Sequence, residues 1–405
     1  RPGADTILHG PPARGPMRAA PIALAVTLAL LVPVAHAQII SPGEGGPPAP
    51  RQPSPPSLVP GPVERESPTL PVPSPQGGAR AADAAPGLWV SHDRMPTARS
   101  ETAVVAVGTT VYAIAGLDAS GGPISSLEAY DTLTGTWAEL APMPERLHHV
   151  AAATDGEAIY VMGGFSVFGS PSSSLHVYDP ASDTWSEGPR MPTARGGLAA
   201  AFDGERVYAL GGAAHGRALG TAEAYDPAAR EWEKLPRMPT ARDHLAAAAL
   251  DGRVHAMGGR NILLSANTGA HEAYDPATRE WAGLEALPTP RGGLAAVTMG
   301  GSIFVLGGEH SYGTFAENEH YVPGVGWLEA EPMPTARHGL GAAAAGERIY
   351  AVAGGIVPGG GVSSLVESYR DPVHVPEFGA AAVAAMAAAT AAAAGLGALT
   401  RRAAA

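Results

Sequence analysis

Short hydrophobic runs ending in glycine recur along this chain at nearly constant spacing. They read Val111-Tyr112-Ala113-Ile114-Ala115-Gly116 and Ile159-Tyr160-Val161-Met162-Gly163-Gly164, then Val207 to Gly212, Val254 to Gly259, Ile303 to Gly308 and Ile349 to Gly354. Each has the length of a buried strand. Between them lie alanine-rich runs such as Leu245-Ala246-Ala247-Ala248-Ala249-Leu250. Local propensity favours helix there, but the tight flanking turns leave room only for a strand. Tyrosines follow in phase at Tyr130, Tyr178, Tyr225, Tyr274, Tyr321 and Tyr369, usually before Asp or Asp-Pro.

The polar positions between the runs are turn residues. Asp155-Gly156, Asp203-Gly204 and Asp251-Gly252 predict type I′ hairpins from the first strand to the second. Asp179-Pro180, Asp226-Pro227 and Asp275-Pro276 predict turns from the third strand to the fourth. One unit, typified by His149 to Ala153, Ile159 to Gly163, Ser174 to Tyr178 and Thr184 to Glu187, therefore holds four strands.

Every tryptophan falls in the same register. Trp89, Trp137, Trp185, Trp232, Trp281 and Trp327 each stand six residues before a Met-Pro or Leu-Pro phrase that runs into arginine, as in Met191-Pro192-Thr193-Ala194-Arg195. Successive copies begin 46 to 49 residues apart, the signature of one supersecondary unit repeated around an axis or along a stack. Together with the glycines Gly116, Gly164, Gly212, Gly259, Gly308 and Gly354, these signatures resemble the kelch-repeat family, whose unit carries a glycine doublet, a tyrosine and then a tryptophan. The resemblance spans residues 87–371 and departs from the pattern at Ala115 and Ala353, which replace the first glycine. It implies an all-β, six-bladed propeller. The last unit ends at Tyr369 without a tryptophan and Trp89 has no tyrosine before it, so a strand around Leu88 to Ser91 should complete the last blade and leave no open edge. Tryptophan and tyrosine are expected to pack between blades.

Outside the ring, residues 1–37 read as a signal-peptide region. Met17-Arg18, the apolar run Ile22 to Val34 and Ala35-His36-Ala37 supply its charged, apolar and small-residue parts. Residues 1–16 read as upstream of the true start, and an uncleaved anchor is the alternative. Residues 38–86 are dense in Pro, Ser and Gly and predict a solvated linker. Residues 372–405 hold Val375-Pro376-Glu377-Phe378-Gly379, an uncharged stretch to Thr400 and Arg401-Arg402, a length and flank that suit a membrane segment. This tail resembles the Pro-Glu-Phe-Gly sorting signals of archaeal surface proteins. The expected location is the cell surface, anchored through the C-terminus, with the ring monomeric.

Composition narrows the chemistry. No cysteine is present, which excludes disulfides, thiolate catalysis and a Cys–Tyr copper radical. A net charge of -12 argues against a nucleic-acid partner. Function is expected on the face carrying the long, dissimilar loops Leu117 to Ile124, Phe165 to Ser173, Ala213 to Leu219, Arg260 to Thr268, Glu309 to Phe315 and Ile356 to Gly361. The candidate binding residues are Arg146, His148, Phe165, Phe168, Arg217, Asp243, His244, Arg260, Asn261, His310, Tyr312 and His338. The repeat arginines are expected mainly to hold loop carbonyls. Residues just after them, Ser100-Glu101, Leu147-His148-His149, Gly196-Gly197, Asp243-His244, Gly292-Gly293 and His338-Gly339, should rim the central channel.

His148, His244 and His338 come from alternate blades and should be accessible at the channel mouth. Such a set could hold a metal ion or an anion. Repeat drift explains it more simply, so no metal, cofactor or catalytic residue is assigned. Two functions stand: a surface module binding protein or glycan, and a sugar-active enzyme. The second follows from a resemblance to bacterial sialic-acid mutarotases, exported six-bladed kelch proteins with similar Met-Pro-Thr-Ala-Arg phrases. Glu101, His148, Asp243 or His244 would then exchange protons with the sugar.

Overall fold

The computed structural model describes residues 89–371. The signal-peptide region, the linker, Leu88 and the C-terminal segment lie outside the described residues. Six four-stranded antiparallel sheets form the blades, and no helix occurs among the described residues. Blade 1 runs Ala103–Val107, Thr110–Leu117, Pro123–Asp131 and Thr136–Leu140. Blade 4, with the alanine-rich run, is Ala246–Leu250, Arg253–Met257, His271–Asp275 and Glu280–Gly283. The first strands of successive blades touch in a closed cycle around the axis. Their small side chains suit that crowded position, so tertiary context overrides helix propensity.

Blade 6 joins the two ends of the ring. Gly341–Ala345, Arg348–Val352 and Val366–Tyr369 are completed by Trp89–Ser91, with Trp89 opposite Tyr369 and Ser91 opposite Glu367. The pairing leaves no blade with a missing outer strand.

There is no single core. Six buried clusters each lie between two neighbouring blades; Leu127 and Ile114 of blade 1, for example, pack against Ile159, Val161 and Tyr178 of blade 2. The repeated aromatics serve these seams. Each tryptophan faces its own blade's tyrosine at 5.0 to 5.6 Å between ring centres. Its indole N–H donates to a carbonyl just beyond the preceding blade, as from Trp185 to Ala141 at 2.8 Å and from Trp89 to Glu331 at 2.9 Å.

Two turn expectations need correction. Only Asp251-Gly252 has both residues at positive φ (51° and 71°), as a type I′ turn requires. At Asp155-Gly156 and Asp203-Gly204 only the glycine does, and the aspartate instead accepts backbone N–H bonds from two and three residues on. The first strand of blade 2 also begins later than expected, at Ala151, because His149 belongs to the channel rim.

The second glycine of the doublet is required sterically. Gly116 has φ +110°, and a Cβ there would stand 2.6 Å from the carbonyl oxygen of Ser100 on the rim. The first glycine is similarly constrained: a Cβ on Gly163, Gly211, Gly258 or Gly307 would stand 2.5 to 2.8 Å from the carbonyl oxygen of Arg195, Arg242, Arg291 or Arg337. It would also meet Leu198, Leu245, Leu294 or Leu340 of the next blade within 3 Å. Where alanine stands instead, at Ala115 and Ala353, the equivalent next-blade residues are the smaller Val150 and Thr102. The repeat thus changes both sides of the contact together.

Candidate functional site at the channel mouth

Below the mouth, the repeat arginines form a buried scaffold. Arg99, Arg195, Arg242, Arg291 and Arg337 are fully buried and pair with Glu128, Glu223, Glu272, Glu319 and Glu367 on the third strands of their blades. Arg195 also donates to the carbonyls of Thr193 and Ala209, at 2.8 and 2.9 Å. Blade 2 departs from this scheme. Counted from Met143, Leu147 occupies the arginine position and His176 the glutamate position. Arg146 is displaced by one residue onto the surface, beside Ser166, Ser170 and Arg190. It is therefore no member of the arginine set, contrary to the reading that the arginine recurs in every blade. Both charges are absent together, so no lone buried charge remains.

Two positions past the arginine, a continuous belt circles the channel. The amide of Glu101 donates to Gly339 O, His149 to Glu101 O, Gly197 to His149 O, His244 to Gly197 O, Gly293 to His244 O and Gly339 to Gly293 O, at 2.7 to 3.0 Å. This ring of six hydrogen bonds includes the junction between the last blade and the first. All six residues have φ between 51° and 67°, the left-handed region that favours glycine. Three of them are not glycine: Glu101, His149 and His244. Strain of this kind concentrates at functional sites. Here the three strained residues converge, with their ligand atoms within 4.8 Å of one another.

A charged network surrounds them. Glu101 lies 3.3 Å from His149 Nε2 and 3.3 Å from His338 Nδ1. His338 Nδ1 is also 3.4 Å from Glu309. Glu309 pairs with Arg260, whose Nε lies 3.7 Å from Asp243. Asp243 accepts a 2.5 Å hydrogen bond from His244 Nδ1 and another of 2.9 Å from the amide of Ile262. His149 contacts His148 through their Nδ1 atoms, and its ring meets that of His244 edge-on at 4.8 Å.

Burial and neighbours set the protonation states. Burial alone would raise the Glu101 carboxyl, but His149, His338 and His244 hold it well below the usual carboxylate range. Burial pushes His149 down to about 3, only partly opposed by Glu101, so it is neutral at pH 7. Burial also disfavours a charge on His338, yet Glu101 and Glu309 raise it to about 9. As an imidazolium, His338 directs Nδ1–H between two carboxylates and donates from Nε2 to the carbonyls of Val357 and Gly360 at 3.0 and 3.1 Å. The Nδ1 distances are those of ion pairs, longer than good hydrogen bonds, in keeping with its absence of a formal hydrogen-bond partner.

The alternate-blade trio of histidines is therefore not what converges. His338 is buried at 2% exposure and tied to the scaffold, because Glu101 and Glu309 close over it. His149, one residue beyond His148, faces the axis. Asp243, His244 and Arg260 belong to the mouth, with His148 and Phe165 beside them through the His148–Phe165 bridge. Phe168, Arg217, Asn261 and Tyr312 are exposed on the outer loops, and His310 is half-buried with its ring 3.9 Å from Tyr312. A cleft of about 620 Å³ runs from His244 and Asp243 outward past Phe165, Pro171, His215 and Ile262. Sequence reasoning placed Glu101 and His149 on the rim but missed their pairing with His244, and it missed Glu309. The signal was available: aligned on the arginine position, the belt reads Glu, His, Gly, His, Gly, Gly.

Residues 98–144, 146–192 and 194–239 match the kelch motif. The chain is a six-bladed propeller with kelch motifs in its first three blades. The matched segments cover blades 1 to 3, and the same strand order continues through blades 4 to 6. The solved structure titled "Structure of YjhT" is similar at a TM-score of 0.58 and 15% identity, covering 67% of this chain and 95% of that one. At that identity the likeness concerns the fold alone. No curated protein matches the chain.

Proposed function

We propose that this kelch ring is a recognition module that binds protein or glycan through its loop face, displayed at the cell surface and held there by the C-terminal segment. The observation that carries the reading is where the apolar surface lies. Among the described residues, nine large hydrophobic side chains are exposed; Val167, Phe168, Ile262, Leu263, Tyr312, Ile356 and Val357 stand on the loop face, and only Leu133 and Val325 on the opposite turns. Apolar groups gathered around a charged centre mark binding surfaces. They fit a ligand with an apolar face and a polar group that reaches the mouth.

A sugar-active enzyme is the second reading, favoured by the 3.3 Å contact of Glu101 with His149. Both groups sit in their basic forms at neutral pH. The charged imidazole of His338 is buried behind them. Acid–base catalysis needs an accessible proton donor as well as an acceptor, so binding is the better fit. The test is a glycan array and a surface-protein panel probed with the purified chain, alongside an NMR assay of sugar anomerisation. Hits that vanish in Phe168→Ala/Tyr312→Ala and persist in Leu133→Ala/Val325→Ala support the reading. Hits that follow the opposite pattern, or anomerisation without retained binding, overturn it.

A further inference from the structure

The belt holds two imidazoles and one carboxylate where backbone geometry favours glycine. His244 carries the strongest sign of what they serve. Its Nδ1–H is fixed on Asp243 Oδ1 at 2.5 Å, which leaves the lone pair on Nε2. That Nε2 is buried and has no hydrogen-bond partner. An imidazole oriented by a carboxylate, with its other nitrogen bare, is the usual setting of a metal-ligating histidine. Asp243 is itself fixed by the Ile262 amide at 2.9 Å, so the orientation is built into the fold. His149 is the second imidazole, with its Nε2 turned toward the Glu101 carboxylate.

We propose that the channel mouth is a site for one first-row divalent transition-metal ion, held by His244 Nε2, the His149 imidazole and the Glu101 carboxylate. Two nitrogens and one oxygen select zinc, cobalt, nickel or iron(II) over magnesium and calcium, which prefer all-oxygen sets. Three protein ligands leave coordination positions open toward solvent, where water or an oxygen of a bound molecule completes the shell. Glu101 would exchange its contact with His149 for the ion, while His338 continues to pair with its other carboxylate oxygen. The assignment stands on the ring's own geometry and does not depend on the recognition reading.

The experiment is a titration of the purified full chain with CoCl2, followed by visible absorption. The expected result is ligand-field bands that saturate at one ion per chain, are displaced by ZnCl2 and are unaffected by MgCl2 or CaCl2. His244→Gly and Glu101→Gln should each remove the bands. Glycine suits the backbone at 244, and Glu101→Gln is nearly isosteric, so at least one variant should keep the fold, as checked by circular dichroism. Asp243→Asn, which alters only the group orienting His244, should weaken cobalt binding by about tenfold. Absence of bands in the wild-type chain at millimolar cobalt overturns the proposal. So do bands that survive in whichever of the two ligand variants is folded.

Discussion

Blade 2 shows how the scaffold can do without its buried ion pair, and a double-mutant cycle in blade 3 tests that reasoning. Arg195 and Glu223 are both fully buried, with Nη1 and Oε2 2.5 Å apart. Thr193 donates to the other carboxylate oxygen at 2.7 Å. Arg195→Leu leaves the buried Glu223 carboxylate with one hydroxyl donor. Breaking a buried pair in this way costs about 3–5 kcal/mol, a large part of the roughly 5–15 kcal/mol that holds a domain folded. Glu223→His, which strands the guanidinium, should cost a similar amount. The double variant Arg195→Leu/Glu223→His copies Leu147 and His176 and leaves no stranded charge. It should lie within about 2 kcal/mol of wild type, because replacing both partners is often nearly neutral. The coupling, read from urea-unfolding midpoints, should thus exceed about 3 kcal/mol. A single Arg195→Leu that costs under about 1 kcal/mol, or a double variant whose loss equals the sum of the singles, refutes the reasoning.

Two further outcomes follow from the same geometry. A chain beginning at residue 96 lacks Trp89–Ser91 and the buried Met95; it should unfold or oligomerise, while one beginning near residue 80 stays monomeric, as size exclusion and thermal melts will show. Stability should peak near pH 6.5 in chemical denaturation. On the alkaline side, His338 is raised to about 9 in the fold, so its contribution is complete below its unfolded value and is lost as pH rises through 9. On the acid side, burial lowers His149 to about 3 and His255 and His271 to about 4; the unfolded chain takes up protons first, and stability falls as pH drops from 6.5 toward 4. His338→Gln should flatten the alkaline limb only, and an unchanged alkaline limb would contradict the assigned ion pairs.

The fold was legible because its determinants are local and repeated. The glycine whose Cβ would strike a rim carbonyl, the tryptophan whose N–H reaches the preceding blade and the alanines at the axis all occur once per unit, so period and phase suffice. The missing tryptophan after Tyr369 even located the closing strand. The site was only half legible. Which side chains converge depends on a one-residue difference in register: His149 faces the axis and His148 does not, and Arg146 lies one position off the arginine set. Rim position was readable from spacing, but burial was not. His338 looked like an accessible channel histidine until Glu309, from the neighbouring blade's long loop, was found against it. Such contacts between blades have no sequence periodicity to announce them.

At the proposed metal site, Glu101, His149 and His244 are kept in the belt for what they bind, against the backbone's preference for glycine. His149→Gly tests this most directly, since His149 is neutral and carries the least structural charge pairing of the three. Glycine relieves the φ of 55°, and relief of left-handed strain is worth about 1 kcal/mol before the added flexibility of the unfolded chain is set against it. The measurement is the urea-unfolding free energy of the metal-free variant against wild type. The expected change is a gain between about zero and 0.6 kcal/mol. A loss greater than about 1 kcal/mol would make His149 a structural residue and contradict the claim.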